Sequence, residues 1–286
     1  MLEILWYSIA GAIAQLVDGT LGMAFGITSS TALVLLGATA VSASTAVHLA
    51  EIGTTLASGV SHWRAGNVDR ITLIRIALPG AIGAFIGASV LTHISLEGAK
   101  SFMSGLLFLL GLVLIIRFGF GFVIIKAKRM RLRGYTLAGL GLFAGFVDAA
   151  GGGGWGPITT PTLLTATKSQ PRLVIGTVSA AEFAVAVAAS IGFIVGLSTS
   201  QTEIPWSVVL GLMIGGVVMA PIAARLAGRL PHAAFGVLIG GLVIISNGRT
   251  LIQYLPTSAG FNQVLLAVFV GFLIWLARRA WVNEHK

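Results

Sequence analysis

One glycine-rich segment that contains an aspartate occurs twice in this otherwise strongly apolar chain. Residues 17–30 read VDGTLGMAFGITSS and residues 147–160 read VDAAGGGGWGPITT, so that Asp18 corresponds to Asp148 at a spacing of 130 residues. A charged side chain within an apolar segment is costly in a membrane, and it usually marks a pathway or a site. The duplication therefore predicts a fold in which two related halves each contribute one such segment.

A second acidic pair repeats together with the first. Glu51 in the sequence VHLAE corresponds to Glu182 in the sequence VSAAE, at a spacing of 131 residues. The chain has only nine Asp and Glu residues, and these two pairs supply four of them. Segments interrupted by Gly or Pro at matching places in two halves are typical of transporters that are built from two related repeats.

The composition indicates a polytopic membrane protein. Hydrophobic residues make up 56% of the chain and charged residues only 9%, whereas a soluble domain carries about 25% charge. The net charge of +9 does not indicate nucleic-acid binding, because the basic residues fall in short gaps between apolar segments. The absence of cysteine excludes disulfides and thiolate metal sites. Glu3 and the lack of a basic start favour a first helix over a cleaved signal.

Eleven apolar segments divide the chain, and four of them are short. They lie at 4–17, 27–41, 43–62, 71–91, 98–117, 135–149, 158–167, 172–197, 205–227, 232–249 and 261–281. A full crossing needs about 20 apolar residues, which the first, second, sixth and seventh segments do not reach. The sequence leaves two arrangements open: eleven crossings, or seven crossings with two re-entrant hairpins.

We predict an all-α polytopic membrane protein with two inverted-topology repeats, whose short or re-entrant broken helices meet near the midplane. The positive-inside rule assigns every Lys and Arg except Lys100 and Arg249 to cytoplasmic gaps. The N-terminus is then outside and the C-terminus cytoplasmic. The predicted divisions are 1–117 for the first repeat, 118–134 for a basic cytoplasmic connection, 135–250 for the second repeat, and 251–286 for one extra C-terminal helix and tail.

Each glycine-rich segment leads into a predicted helix start that is rich in hydroxyl groups. A helix start presents unpaired N–H groups and the positive end of its dipole, which together favour anions. Pro157 suits such a first turn. The alternative is that these residues are helix caps and small residues for close packing, with Trp155 packed over the loop instead of stacked on substrate. The candidate substrate-binding residues are Met23, Gly26, Thr28, Ser29, Ser30, Gly154, Trp155, Gly156, Thr159 and Thr160.

The third apolar segment is the most polar one. Its polar residues recur at steps of three or four, so that His48, Glu51, Thr55, Ser58 and His62 share one helix face. We expect this face to line a cavity or the bundle interior. Ser179 stands at the position that corresponds to His48, so a histidine role would be confined to one half.

The repeated carboxyl groups are candidates for coupling transport to protons. A carboxyl group that loads and releases a proton in each cycle could do this, whereas the alternative is a structural acid that is hydrogen-bonded to a neighbouring helix. The two aspartates could cap the backbone of the glycine-rich turns, bind a cation or relay protons. The candidate proton-coupling or pathway residues are Asp18, His48, Glu51, Thr55, Asp148 and Glu182.

Four stretches together resemble the TauE/SafE family of sulfite-exporter-like permeases. They are residues 17–26, 51–62, 66–69 and 148–157, and the resemblance covers nearly the whole chain. It implies transport of small sulfur-containing anions, such as sulfite, thiosulfate, sulfoacetate or a similar organosulfonate, across the bacterial inner membrane. Members of the family differ in substrate and direction, so neither follows from the resemblance.

The leading hypothesis is a proton-coupled secondary transporter with alternating access around a midplane site. The alternatives are an anion channel of the same architecture and a cation permease that uses the four carboxylates as oxygen ligands. The glycine run 151–154 lacks the following Lys-Ser or Lys-Thr of a phosphate loop. We predict no enzymatic activity, no cofactor and no bound metal. The predicted partners are a small anion, protons and the lipid bilayer, without nucleic acid, and a homo-oligomer is compatible with the sequence.

Overall fold

The computed structural model is helical, and no strand occurs in the part of the chain that it describes, which comprises residues 2–21, 23–120, 133–167, 169–198, 203–226, 232–252 and 259–284. The helices are α1 (Leu2–Leu21), α2 (Phe25–Leu35), α3 (Ala40–Arg64), α4 (Arg70–His93), α5 (Leu96–Gly119), α6 (Gly134–Gly151), α7 (Trp155–Ala166), α8 (Pro171–Leu197), α9 (Trp206–Leu226), α10 (His232–Ile252) and α11 (Ala259–Glu284). Each predicted apolar segment corresponds to one of them. The predicted all-α class is confirmed, while most of the basic connection 118–134 lies outside the described residues.

Helix length separates two kinds of element. Within the described residues, α4, α5 and α8 are long and apolar enough to cross a membrane by length and composition. By contrast, α2 has 11 residues and α7 has 12. At about 1.5 Å per residue, neither of these two helices spans a hydrocarbon core of about 30 Å. They can therefore reach only part of the way through a bilayer.

The helices that contain the first and sixth segments extend beyond the predicted apolar stretches. α1 has 20 residues and α6 has 18. Each helix continues for three residues beyond its aspartate, to Leu21 and to Gly151. The aspartate ends the apolar pattern in each segment but does not end the helix, because its side chain accepts hydrogen bonds from backbone N–H groups that follow.

Sharp turns separate α1 from α2 and α6 from α7. In the second turn, Gly152 has a φ of 72° and Gly153 has a φ of 145°, a backbone region that only glycine adopts readily. A Cβ atom at Gly152 would also meet the hydroxyl of Ser30. The consecutive glycines of the second motif are thus explained by backbone conformation and by close approach to α2.

Helices of the two halves pack against each other crosswise. α1 packs along α9, and α4 packs along α6. Both contacts bring backbones together at glycine: a Cβ atom at Gly11 would lie 2.4 Å from the carbonyl oxygen of Leu212, and one at Gly141 would lie 2.3 Å from that of Ile76. These two contacts are related by the repeat spacings. They agree with the inverted topology, which stays a prediction.

The remaining helices also pack in pairs. α3 packs along α8, α5 packs along α10, and α11 packs on α10. The glycine positions of α4 make contacts inside the chain, because a Cβ atom at Gly83 would meet the carbonyl oxygen of Leu142 in α6. Close packing of small residues on this face of α4 is therefore internal to the chain.

Candidate functional site

The two repeated aspartates cap the broken helices in the same way. Asp18 Oδ1 accepts hydrogen bonds from the N–H groups of Ala24 at 2.8 Å and Phe25 at 3.3 Å. Asp148 Oδ1 accepts from Gly154 at 2.6 Å and Trp155 at 2.9 Å. Donors lie six and seven residues after the carboxylate in both halves, so the repeated sequence produces a repeated local structure. One oxygen of each aspartate side chain, Oδ1, therefore caps a helix start, as the capping alternative predicted.

Capping by the aspartates leaves three further N–H groups at the helix starts. Thr28 donates to the carbonyl of Ala24, and Ile158 donates to the carbonyl of Gly154. The N–H groups that precede these bonds have no partner within their own helices. They belong to Gly26, Ile27 and Gly156, whereas Pro157 has no N–H group.

These helix starts meet at one small cavity. A Cβ atom at Gly26 would lie 2.7 Å from the Cα atom of Gly153, so the two breaks touch through glycine. The adjoining cavity has an empty volume of about 200 Å³ and is bounded by α2, α3, the second break, α7 and α8. Its lining residues are Ala24, Phe25, Gly26, Ile27, Glu51, Asp148, Gly153, Gly154, Gly156, Pro157 and Glu182.

The five predicted hydroxyl groups fall into two sets. The hydroxyl oxygens of Thr28, Ser29 and Thr160 are buried and have no hydrogen-bond partner. Ser30 donates to the carbonyl of Gly152, and Thr159 donates to the carbonyl of Trp155. Three of the candidate donors in α2 and α7 are therefore unused, and a buried polar group without a partner is costly unless a ligand satisfies it.

His48 joins α3 to the second break. Its Nε2 atom lies 3.1 Å from Asp148 Oδ2, and its Nδ1 atom lies 2.7 Å from the backbone carbonyl oxygen of Ser44. A carbonyl oxygen only accepts, so Nδ1 carries a proton. The contact between Nε2 and Oδ2 then requires one further proton, either on the imidazole or on the carboxyl group.

Glu51 lies one helical turn from His48 and close to the same pair. Its Oε2 atom is buried without a hydrogen-bond partner. One ligand atom from each of His48, Glu51 and Asp148 lies within 4.8 Å of the others. Such a cluster can exchange a proton between neighbouring groups, or it can hold a cation if the hydrogen bond between His48 and Asp148 opens. Glu182 is half-buried and faces the same cavity from α8.

Of the ten predicted substrate-binding residues, Gly26, Gly154 and Gly156 line the cavity, and the other seven do not. Trp155 is fully buried, its indole Nε1 donates to the carbonyl of Val178 at 3.1 Å, and its ring lies against Gly80. Trp155 is therefore packed inside the protein, as the packing alternative predicted. The sulfur of Met23 lies 3.1 Å from Arg117 Nη1. Thr55 lies near the site, although its hydroxyl donates to the backbone carbonyl of Glu51.

Sequence reasoning missed residues that border the site from the first half. Phe25 corresponds to Trp155 and lies near Gly216 and Thr54, as the indole lies near Gly80. Gln15, a polar residue in apolar α1, lines a second cavity next to the first. The isolated polarity of Gln15 and the repeat equivalence of Phe25 with Trp155 are the signals that could have identified these two residues.

Comparison with known proteins agrees with the helical architecture and the repeated motifs. The chain is 43% identical over 279 residues to the "Probable membrane transporter protein YtnM" of Bacillus subtilis (strain 168), which covers 97% of this chain and 91% of that protein. It is 25% identical over 183 residues to the "Probable membrane transporter protein YdhB" of the same organism, covering 62% of this chain and 71% of that protein. No solved structure matches.

The family model described as "Sulfite exporter TauE/SafE" matches residues 7–250, which include every candidate site residue. The relatives and the apolar helices together indicate a multi-pass membrane protein of a transporter family. The chain belongs to the TauE/SafE sulfite exporter family.

Proposed function

We propose that this protein is a secondary transporter of small sulfur-containing oxyanions, with sulfite, thiosulfate, sulfoacetate or a similar organosulfonate as substrate. One observation supports this most: the N–H groups of Gly26, Ile27 and Gly156 remain after aspartate capping, and these three residues line one cavity between the two broken helices. Helix starts of this kind stabilise anions through N–H donors and the helix dipole. The unpartnered hydroxyls nearby add donors that an oxyanion can satisfy.

Charge at the site favours coupling of the anion to protons. Glu51 and Glu182 line the same cavity as the helix starts. Two like charges about 4 Å apart repel by roughly 4 kcal/mol at an effective dielectric constant of about 20. An anion that enters this cavity therefore binds best when these side chains carry protons. Proton and anion would then move together, with Glu51 and the pair formed by His48 and Asp148 passing the proton.

The proposed cycle alternates access to this cavity from the two sides of the bacterial inner membrane. Two inverted repeats would rock about the contact between Gly26 and Gly153, with the N-terminus outside and the C-terminus in the cytoplasm. Crosswise packing of α1 on α9 and of α4 on α6 supports this, since each pair combines one helix from each half. Rearrangement of such pairs about a fixed site is a general form of alternating access.

Transport into proteoliposomes tests the proposal. Purified protein is reconstituted, a proton gradient is imposed, and uptake of radiolabelled thiosulfate and sulfite is followed for the wild-type protein and for Glu51→Gln. We expect gradient-driven accumulation by the wild type, and its loss in Glu51→Gln while equilibrium binding of the anion is retained. Flux at channel-like rates that is independent of the proton gradient and unchanged in Glu51→Gln would contradict coupling and favour an anion channel.

A cation permease is a second candidate because His48, Glu51 and Asp148 bring three ligand atoms within 4.8 Å of one another. A competition experiment separates it from the anion transporter. Thermal stabilisation of the purified protein by divalent cations, with no response to sulfur oxyanions, would favour the cation. Stabilisation by the anions alone would exclude it.

A further inference from the structure

A polar cavity adjoins the proposed substrate site on the side of α1 and α3. It has an empty volume of about 310 Å³ and shares Glu51 and Glu182 with the smaller cavity between the helix starts. Four helices contribute to its wall, which consists of Gln15, Asp18, Phe25, Glu51, Thr54, Thr55, Ser58, Ser179 and Glu182. Nearly all of these side chains offer a hydrogen-bonding group. We call this space the α1–α3 vestibule.

The repeat-related surface on the other side of the site is apolar and packed. The positions in α8 that correspond to Thr54, Thr55 and Ser58 at the spacing of 131 residues are occupied by Val185, Ala186 and Ala189. All three α8 side chains are 0% exposed. The fully buried indole of Trp155 packs beside this surface, near Val185. The aliphatic side chains of Val185, Ala186 and Ala189 offer no hydrogen-bonding group to water or to an ion.

Helix packing also differs between the two sides of the site. α4 packs closely along α8, whereas its repeat equivalent α9 approaches α3 much less. The gap between α3 and the α1–α9 pair is where the α1–α3 vestibule lies. The corresponding interface of α8 with α4 is filled, since a Cβ atom at Gly192 would lie 3.0 Å from the carbonyl oxygen of Phe85.

A hydrogen bond also stabilises the side of the site next to the packed α8 surface. On that side His48 bonds to Asp148 at 3.1 Å, which ties α3 to the second break. On the vestibule side the corresponding residues are Ser179 and Asp18, which both line the open space. A serine side chain is shorter than the imidazole, and within the described residues no hydrogen bond joins Ser179 to Asp18.

Positive charge surrounds the end of the bundle towards which the vestibule extends. From Glu51 the lining follows α3 through Ser58 towards the exposed Arg64. The turn after α3 lies beside the start of α8, because the N–H group of Asp69 donates to the hydroxyl of Thr177 at 2.9 Å. Arg70 and Arg172 are exposed at this same end. Exposed basic residues at this end of the bundle raise the local concentration of anions.

We propose that the α1–α3 vestibule is the route by which a small hydrophilic anion reaches Glu51 and Glu182, and that the α8 surface around Ala189 is the sealed side of the transporter in this conformation. This inference rests on the proposed function for the identity of the anion. The arrangement of the open and the sealed side is argued from cavity lining, packing and hydrogen bonds.

The chain contains no cysteine, so single cysteines report on the two sides without background. Thr54→Cys and Ser58→Cys place a thiol in the vestibule, and Val185→Cys and Ala189→Cys are the repeat-matched controls. The probe is the membrane-impermeant, sulfonate-bearing reagent 2-sulfonatoethyl methanethiosulfonate, applied to right-side-out and to everted membrane vesicles. Because thiol reactivity depends on exposure, we expect the vestibule thiols to react at least about tenfold faster than the controls, and from one face of the membrane only.

Labelling after denaturation verifies that each thiol is present, and a melting curve verifies that each variant is folded. If one vestibule variant fails to fold, the other still decides, since both thiols face the same space. Equal labelling rates at the vestibule and control positions, or faster labelling at Ala189→Cys, would overturn the proposal. Anion binding is measured separately on the wild-type protein, so failure of the vestibule and failure of the anion site give different results.

Discussion

Replacement of Gly153 by alanine tests whether the two broken helices meet as described. Gly153 has a φ of 145°, and a Cβ atom there would lie 2.3 Å from the backbone nitrogen of Ile27 and 2.4 Å from the carbonyl carbon of Gly26. The strained backbone costs about 1–3 kcal/mol. Overpacking against backbone atoms that cannot rotate away costs about another 1–3 kcal/mol. We therefore expect Gly153→Ala to destabilise the protein by at least about 2 kcal/mol.

Thermal unfolding of the purified protein measures this cost. A change of 1 kcal/mol shifts Tm by about 2–4 °C in a chain of roughly this size, so Gly153→Ala should lower Tm by at least about 4 °C. The control is Gly139→Ala in α6, where a Cβ atom meets nothing within 4 Å. That change should be neutral or stabilising by about 0.5–1 kcal/mol, because alanine favours helix. A Gly153→Ala protein with wild-type Tm and wild-type transport would refute the contact between the breaks.

Three further substitutions probe the caps and the crosswise packing. Asp148→Ala removes two cap hydrogen bonds and the partner of His48, whereas Asp18→Ala removes two cap hydrogen bonds. The Asp148→Ala protein should therefore be less stable than the Asp18→Ala protein by about 1–3 kcal/mol. Equal melting temperatures of the two variants would contradict the role of the histidine. Gly83→Ala places a Cβ atom 2.0 Å from the carbonyl oxygen of Leu142 and should cost about 1–3 kcal/mol in thermal unfolding, unlike Gly139→Ala; indistinguishable melting of these two variants would argue against close contact of α4 with α6.

Helix order and the repeated acidic motifs could be predicted from the sequence because both depend on local patterns. Apolar segments bounded by turns and charges identify helices, and the offset between Asp18 and its donors is contained within one stretch of chain. The lengths of α1 and α6 could not be predicted in this way. A polar residue interrupts an apolar pattern whether or not the helix ends, and only the position of its hydrogen-bond donors decides between the two.

Contacts between distant parts of the chain were beyond sequence reasoning. The bond between His48 and Asp148 joins residues 100 positions apart, and no local pattern indicates which carboxylate the histidine will meet. The division of the hydroxyls has the same origin, because Ser30 is satisfied by Gly152 of the other half while Ser29 is not. The burial of Trp155 depends on Gly80, a glycine whose role becomes visible only when α4 is placed beside α7.

Calorimetric binding of anions to the detergent-purified protein tests the central claim most directly. The panel comprises sulfite, thiosulfate, sulfate, sulfoacetate, taurine, acetate and chloride, at two pH values. Thr28→Val and Thr160→Val remove unpartnered hydroxyls, and Thr159→Val is the matched control because its hydroxyl is already bonded. We predict selective binding of a sulfur oxyanion that weakens about tenfold or more in Thr28→Val or Thr160→Val, since hydrogen bonds to charged groups contribute about 1.5–3 kcal/mol, and that persists in Thr159→Val. No anion binding, or equal weakening in all three variants, would contradict an anion site at the two helix starts.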